Sequence, residues 1–163
     1  MELGQISLEP LTAENLYEAK QIERSDIPED FVDTVDELME LTRYGLKHGC
    51  AGRTFLVRYQ GVCVGVILLG EAIPWETDPA ETRCRPFYRL MGFVLDKRYR
   101  DRGIGTYVLN ETVWRIYQEF GVRPIMLGCH RDNVDGERFW LRNGFHKTDA
   151  MEGSDYYYLR YPS

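Results

Sequence analysis

Gly103 and Gly105 stand between two stretches of opposite periodicity. Residues 87–95 are rich in β-formers and read as a strand. Residues 106–120 place Leu109, Val113, Ile116, Tyr117 and Phe120 on one helical stripe, which Gly121 ends. Between them runs Arg100-Asp101-Arg102-Gly103-Ile104-Gly105-Thr106. Glycines there let the backbone come close to a ligand. The first helical turn adds unpaired N–H groups and the positive end of the helix dipole. Together they form an anion site suited to a phosphate or pyrophosphate. Lys97, Arg98, Arg100 and Arg102 concentrate positive charge in a chain whose net charge is −6.

The remaining elements follow from pattern. Ile6 and Leu8 alternate with polar residues and predict a first strand. Thr12 is a candidate cap for a helix over 13–23, and Asp33 for a second helix that Gly49 ends. Residues 54–59 and 62–69 predict a hairpin turning at Gln60-Gly61. Residues 70–85, with Pro74 and Pro79, read as a long loop. A strand over 125–129, a helix over 134–143 and strands over 145–147 and 156–161 complete the chain. That order predicts an α/β or α+β fold with a mixed sheet.

The 163 residues suit one domain, 1–163. No apolar run approaches the roughly 20 residues of a membrane helix. The first residues lack the pattern of a signal peptide. A cytoplasmic protein, monomer or homodimer, without membrane contact is expected. The acidic balance argues against a general nucleic-acid binder. Cys50, Cys63, Cys84 and Cys129 form no Cys-x-x-Cys pair and have only three histidines for company, so no metal site is expected.

Several phosphate-binding readings compete for the glycine loop. A Walker loop needs a lysine after its last glycine, and Thr106 stands there. A dinucleotide fingerprint needs a third glycine where this chain has Val108. A plain basic loop with a helix cap is the remaining alternative. The second half of the chain separates them. Asn133-Val134-Asp135-Gly136-Glu137-Arg138-Phe139-Trp140 leads to Asn143-Gly144-Phe145. With Arg100, Gly103 and Gly105 upstream, this resembles the GNAT acetyltransferase superfamily, over roughly residues 86–147. The resemblance implies the acyl-CoA N-acyltransferase fold, a mixed sheet of about seven strands flanked by about four helices, with acetyl-CoA as co-substrate.

By that resemblance, the main chain of Arg102, Gly103, Ile104, Gly105 and Thr106 would hold the pyrophosphate, with Arg100 and Asp101 in the same loop. Phe93, Val94 and Leu95 would pair with the pantetheine arm as with an added strand. Asn133 would bond the pantetheine amides or fix its loop. Trp140 and Arg142 would complete the CoA side. The Leu95 amide would stabilise the oxyanion of a direct acetyl transfer from sulfur to an amine.

Two positions depart from the family pattern. Trp140 stands where the family often has a general-acid tyrosine, and an indole does not titrate usefully. Met91 stands where some members have a carboxylate base on the central strand. Tyr88 and Glu71 are replacement candidates for acid and base. The early helices and the 70–85 loop would wall the acceptor site. They carry Glu29, Asp30, Asp33, Asp36, Glu37, Glu40, Glu71, Glu76, Asp78 and Glu81, which suit a cationic acceptor such as a polyamine or aminoglycoside. Phe31, Trp75 and Met91 would contact it. A small cationic amine is the leading acceptor, and a protein or peptide amine is the alternative. A non-catalytic acyl-CoA-binding module is the third reading.

Overall fold

The structure, a computed structural model, describes residues 3–163. Seven strands form one sheet in the order β1-β2-β3-β4-β5-β7-β6. They are β1 (Ile6–Pro10), β2 (Gly52–Tyr59), β3 (Val62–Glu71), β4 (Tyr88–Leu95), β5 (Ile125–His130), β6 (His146–Glu152) and β7 (Asp155–Arg160). Every neighbouring pair is antiparallel except β4 and β5. Four helices cover the sheet: α1 (Leu16–Ala19), α2 (Val35–Lys47), α3 (Ile104–Phe120) and α4 (Val134–Arg142). The expected GNAT-type architecture of seven strands and four helices is therefore present. No described helix is long and apolar enough to cross a membrane.

The sheet is buried on both faces, which is why β3 is almost continuously apolar. On one face Ile104, Val108, Leu109, Val113 and Ile116 of α3 pack against Val57, Val64, Ile67, Leu69, Tyr88 and Ile125. On the other, Ala19, Val35, Leu38 and Met39 of α1 and α2 pack against Leu56, Val66, Leu68 and Val94. Alternate residues of one strand thus serve two separate cores.

Several elements differ from the sequence reading. The first helix is one turn rather than 13–23. Glu23 is tied to the loop after β4, its N–H donating to Asp96 at 3.0 Å and its carbonyl accepting from Lys97 at 2.8 Å. That long-range pair wins over continued local helix. Thr34, not Asp33, caps α2, in a reciprocal capping box with Glu37. The Asp33 side chain is released for another use. β6 extends to Glu152, past the expected 145–147, with an irregularity between Lys147 and Met151. The 72–87 connection is anchored rather than loose. Arg89 and Asp78 form a buried two-pronged pair at 3.1 and 2.9 Å, and Trp75 lies over the guanidinium at 3.7 Å.

Candidate active site

β4 and β5 meet only at Tyr88↔Ile125 and Arg89↔Met126. Beyond that point the two parallel strands diverge. The cause lies at Gly92, which has φ +64° and sits where the β3–β4 register slips between Val66 and Leu68. A Cβ at Gly92 would fall 2.4 Å from Leu38 of α2, so only glycine fits this bulge. The bulge bends β4 away from its neighbour and leaves part of its edge unpaired. Asp96 donates its N–H to Val64 on β3 at 2.7 Å. Strand alternation therefore turns the polar groups of Leu95 and Phe93 the other way, into the gap.

At the end of β4, Asp96 folds the basic loop. Its carboxylate accepts from the Glu23 and Arg98 amides at 3.0 Å each and from the Arg98 guanidinium at 2.8 and 2.9 Å. Those hydrogen bonds, Arg98's first, outweigh burial and hold this carboxyl well below the usual range. Gly103 then begins α3 with φ +82° and no side-chain cap. Nothing lies within 4 Å of where its Cβ would be. The first amides of α3 are thus presented to open space. A Cβ on Gly105 would lie 3.0 Å from the Phe139 ring, so this glycine lets α3 and α4 close together. Arg100 donates to the Leu95 carbonyl at 3.0 Å and to Asp26 at 2.5 Å, and its other terminal nitrogen is buried without a partner among the described residues.

These features join in one cleft of about 1040 Å³ running between β4 and β5. An uncapped helix end, an unpaired strand edge and an orphaned guanidinium nitrogen fit a long anionic ligand with an amide-bearing arm. Phe93, Val94, Leu95, Arg100, Asp101, Gly103, Gly105, Thr106, Asn133, Trp140 and Arg142 line it, as do Phe31, Trp75 and Met91. Asn133 caps α4, its side-chain oxygen accepting from the Gly136 amide at 3.0 Å. Trp140 packs among Phe93, Phe139 and Phe145. Ile104 sends its side chain into the core, leaving only its amide at the loop. Arg102 is exposed beside Tyr99 and does not line the cleft.

The two replacement candidates for acid and base stand elsewhere. Tyr88 is fully buried, and its hydroxyl donates to the Gly121 carbonyl at 2.6 Å, behind the point where the strands part. Glu71 is exposed beside Arg123 at 3.9 Å, outside the cleft. Neither reaches the gap, because both lie at the end of the β3–β4 ladder opposite to Leu95.

The structure instead brings together groups that the sequence reading did not connect. Asp30 and Asp33, from the loop before α2, face His130 of β5 and Glu152 and Asp155 of the β6–β7 hairpin. Burial pushes the carboxyls of Asp33 and Asp155 above their ordinary values. No sequence signal marks Asp155 except its place just after the Gly153 turn. Among the described residues no cluster of His, Cys, Asp and Glu could hold a metal ion.

A sheet whose parallel strands splay beside an uncapped helix mouth has the layout expected of an acyl-CoA-dependent transferase. The Acetyltransferase (GNAT) family profile matches residues 16–145. The chain belongs to this family and is an acetyl-CoA-dependent N-acetyltransferase. Solved structures share the fold. The PaiA N-acetyltransferase of Thermoplasma acidophilum in complex with coenzyme A is 18% identical, with a TM-score of 0.71 over 96% of this chain and 99% of that one. A Salmonella typhimurium acetyltransferase that modifies the N-terminal serine of ribosomal protein L7/L12 is 15% identical, with a TM-score of 0.72 over 98% and 96%. Naa50 of Arabidopsis thaliana, in complex with a bisubstrate analogue, is 21% identical, with a TM-score of 0.65 over 95% and 97%. No curated protein sequence shows significant similarity to the chain.

Proposed function

We propose that the protein acetylates a primary amine of a small, cationic acceptor. The observation that carries this reading is the division of charge across the cleft. Apart from Arg89, which Asp78 neutralises, the cationic lining residues are Lys97, Arg100, Arg138 and Arg142, from the loop after β4 and from α4. The only charged groups that the loop before α2 and the β6–β7 hairpin bring to the opposite wall are carboxylates, among them Glu29, Asp30, Asp33, Glu152 and Asp155, whereas Asp101 and Asp135 stand among the cations of the first wall. One wall suits the phosphates of CoA and the other suits ammonium groups.

Bound acetyl-CoA supplies the acetyl thioester. The α3 amides from Ile104 to Thr106 would bind the pyrophosphate, and Phe93 to Leu95 would align the pantetheine arm. The Leu95 amide would donate to the developing oxyanion. Trp140, locked among three aromatic rings, would shape the wall without exchanging a proton. The reaction depends on positioning two bound reactants, worth a large share of the barrier.

A release assay for CoA across polyamines, aminoglycosides, amino acids and short peptides tests the reading. Turnover is expected to be highest with polycations. A protein or peptide N-terminus is the second reading. It is favoured by two of the similar structures, whose described acceptor or analogue is a protein terminus or a peptide. Turnover with peptides alone would replace the first reading with this one. Acetyl-CoA binding with no turnover on any acceptor would leave the passive binding module.

A further inference from the structure

β5 is buried along its length except at Gly128. Its ladder with β7 pairs Gly128 with Tyr157 and His130 with Asp155. Period-two alternation puts the Asp155 side chain on the face where a side chain at 128 would stand. The carboxyl leans over the missing side chain: a Cβ at Gly128 would lie 3.3 Å from Asp155 Oδ2 and 3.5 Å from its Cβ. Glycine at this position therefore leaves room for a carboxylate delivered from the next strand. Both residues line the cleft opposite Met91, where β4 and β5 have separated.

Among the described residues no donor reaches this carboxyl. His130 is engaged elsewhere: its Nδ1 accepts from the Asp132 amide at 3.1 Å, and its Nε2 lies 3.2 Å from Asp30. The other groups around Asp155 are Cys129 on β5, Glu152 on β6, and Asp30 and Asp33 across the cleft. Burial acts first, and these carboxylates add to it against the partial relief from His130. An unpartnered carboxylate held among like charges has a raised affinity for a proton, as a base near neutral pH requires.

We propose that Asp155 is the general base of the transfer, taking a proton from the acceptor's ammonium group. This rests on the amine-acceptor reading above. One N–H bond breaks and one O–H bond forms on Asp155. The freed amine lone pair attacks the acetyl carbonyl carbon. The C–N bond forms, the C–S bond breaks, and sulfur leaves with its electron pair. The nitrogen's second proton passes to that sulfur to give the thiol, and Asp155 returns its own proton to solvent.

The test compares wild type with Asp155→Asn on the best acceptor of the amine panel, with exposed Asp149→Asn as control. Asp155→Asn is expected to lower kcat/KM at neutral pH by roughly 10²- to 10⁴-fold with acetyl-CoA affinity unchanged. Its loss should shrink at high pH, where the free amine needs no base. Rates and pH profile equal to wild type would overturn the role of Asp155 alone. Silence of wild type on every acceptor would overturn the amine reading. In that case carbon NMR of the carboxyls still judges Asp155. The resonance lost in Asp155→Asn is expected to titrate above the ordinary aspartate value of about 3.9. A midpoint at or below that value overturns the proposal.

Discussion

Asp96 ties three segments with one side chain: the end of β4, the turn after it, and the chain leading from α1. Its carboxyl is depressed in the folded state, so it stabilises the fold above its unfolded pKa of about 3.9. That stability should be lost as pH falls below about 4. Thermal melts of wild type should show the loss, and Asp96→Asn should be less stable at neutral pH with a flatter acid limb. Gly103 acts at the same scale. Its Cβ position is open, so Gly103→Trp meets no clash in the free protein and fills the mouth of α3, although the φ of +82° makes any side chain there cost some stability. Calorimetry should show acetyl-CoA affinity lost while a folded protein remains. Unchanged affinity would contradict the placement of the pyrophosphate.

At the scale of elements, the bulge in β4 and the strap over 72–87 shape the cleft. Gly92→Ala would strain a positive φ and force its methyl against Leu38. Left-handed strain and overpacking together should cost about 2–5 kcal/mol in chemical denaturation, and acetyl-CoA should bind more weakly as β4 straightens. The strap is pinned by Arg89 and Asp78, both side chains 4% exposed or less. Burial raises the Asp78 carboxyl, but the hydrogen bonds from Arg89 and from the Trp75 amide outweigh it and leave its pKa low. Asp78→Ala strands the guanidinium and should destabilise by about 3–5 kcal/mol, whereas replacing both partners with apolar residues should cost less. Glu152 holds the strap next to this pair, accepting from Thr77 and from Tyr157, each at 3.2 Å. The strap therefore links the buried pair to the hairpin that carries Asp155.

For the whole molecule, the cleft's divided charge predicts a salt signature. The screening length falls from about 10 Å at 0.1 M to about 3 Å at 1 M salt. The KM of a polyamine should rise across that range, and more steeply than that of a monoamine. Equal slopes in steady-state kinetics would show that the acidic wall does not select charge. The same scale explains what pattern reading missed. The strand–glycine–helix unit at 87–120 and the hairpin at 52–71 were legible because each is local, its periodicity and turn residues lying within one stretch of chain. The first helix was overread because Glu23 answers to Asp96, a distant residue. Tyr88 lies on the central strand in sequence, yet its side chain is buried and its hydroxyl points to the Gly121 carbonyl at the end of α3.

The order of elements, the uncapped helix start at Gly103 and the GNAT class were determined by the sequence, since main-chain geometry and helix ends follow from neighbouring residues. Only the tertiary structure decided which carboxylates face the gap. Asp33, His130 and Asp155 come from a loop and two strands far apart in the chain. Their proximity, and the burial that alters their affinity for protons, exist only once the sheet has paired.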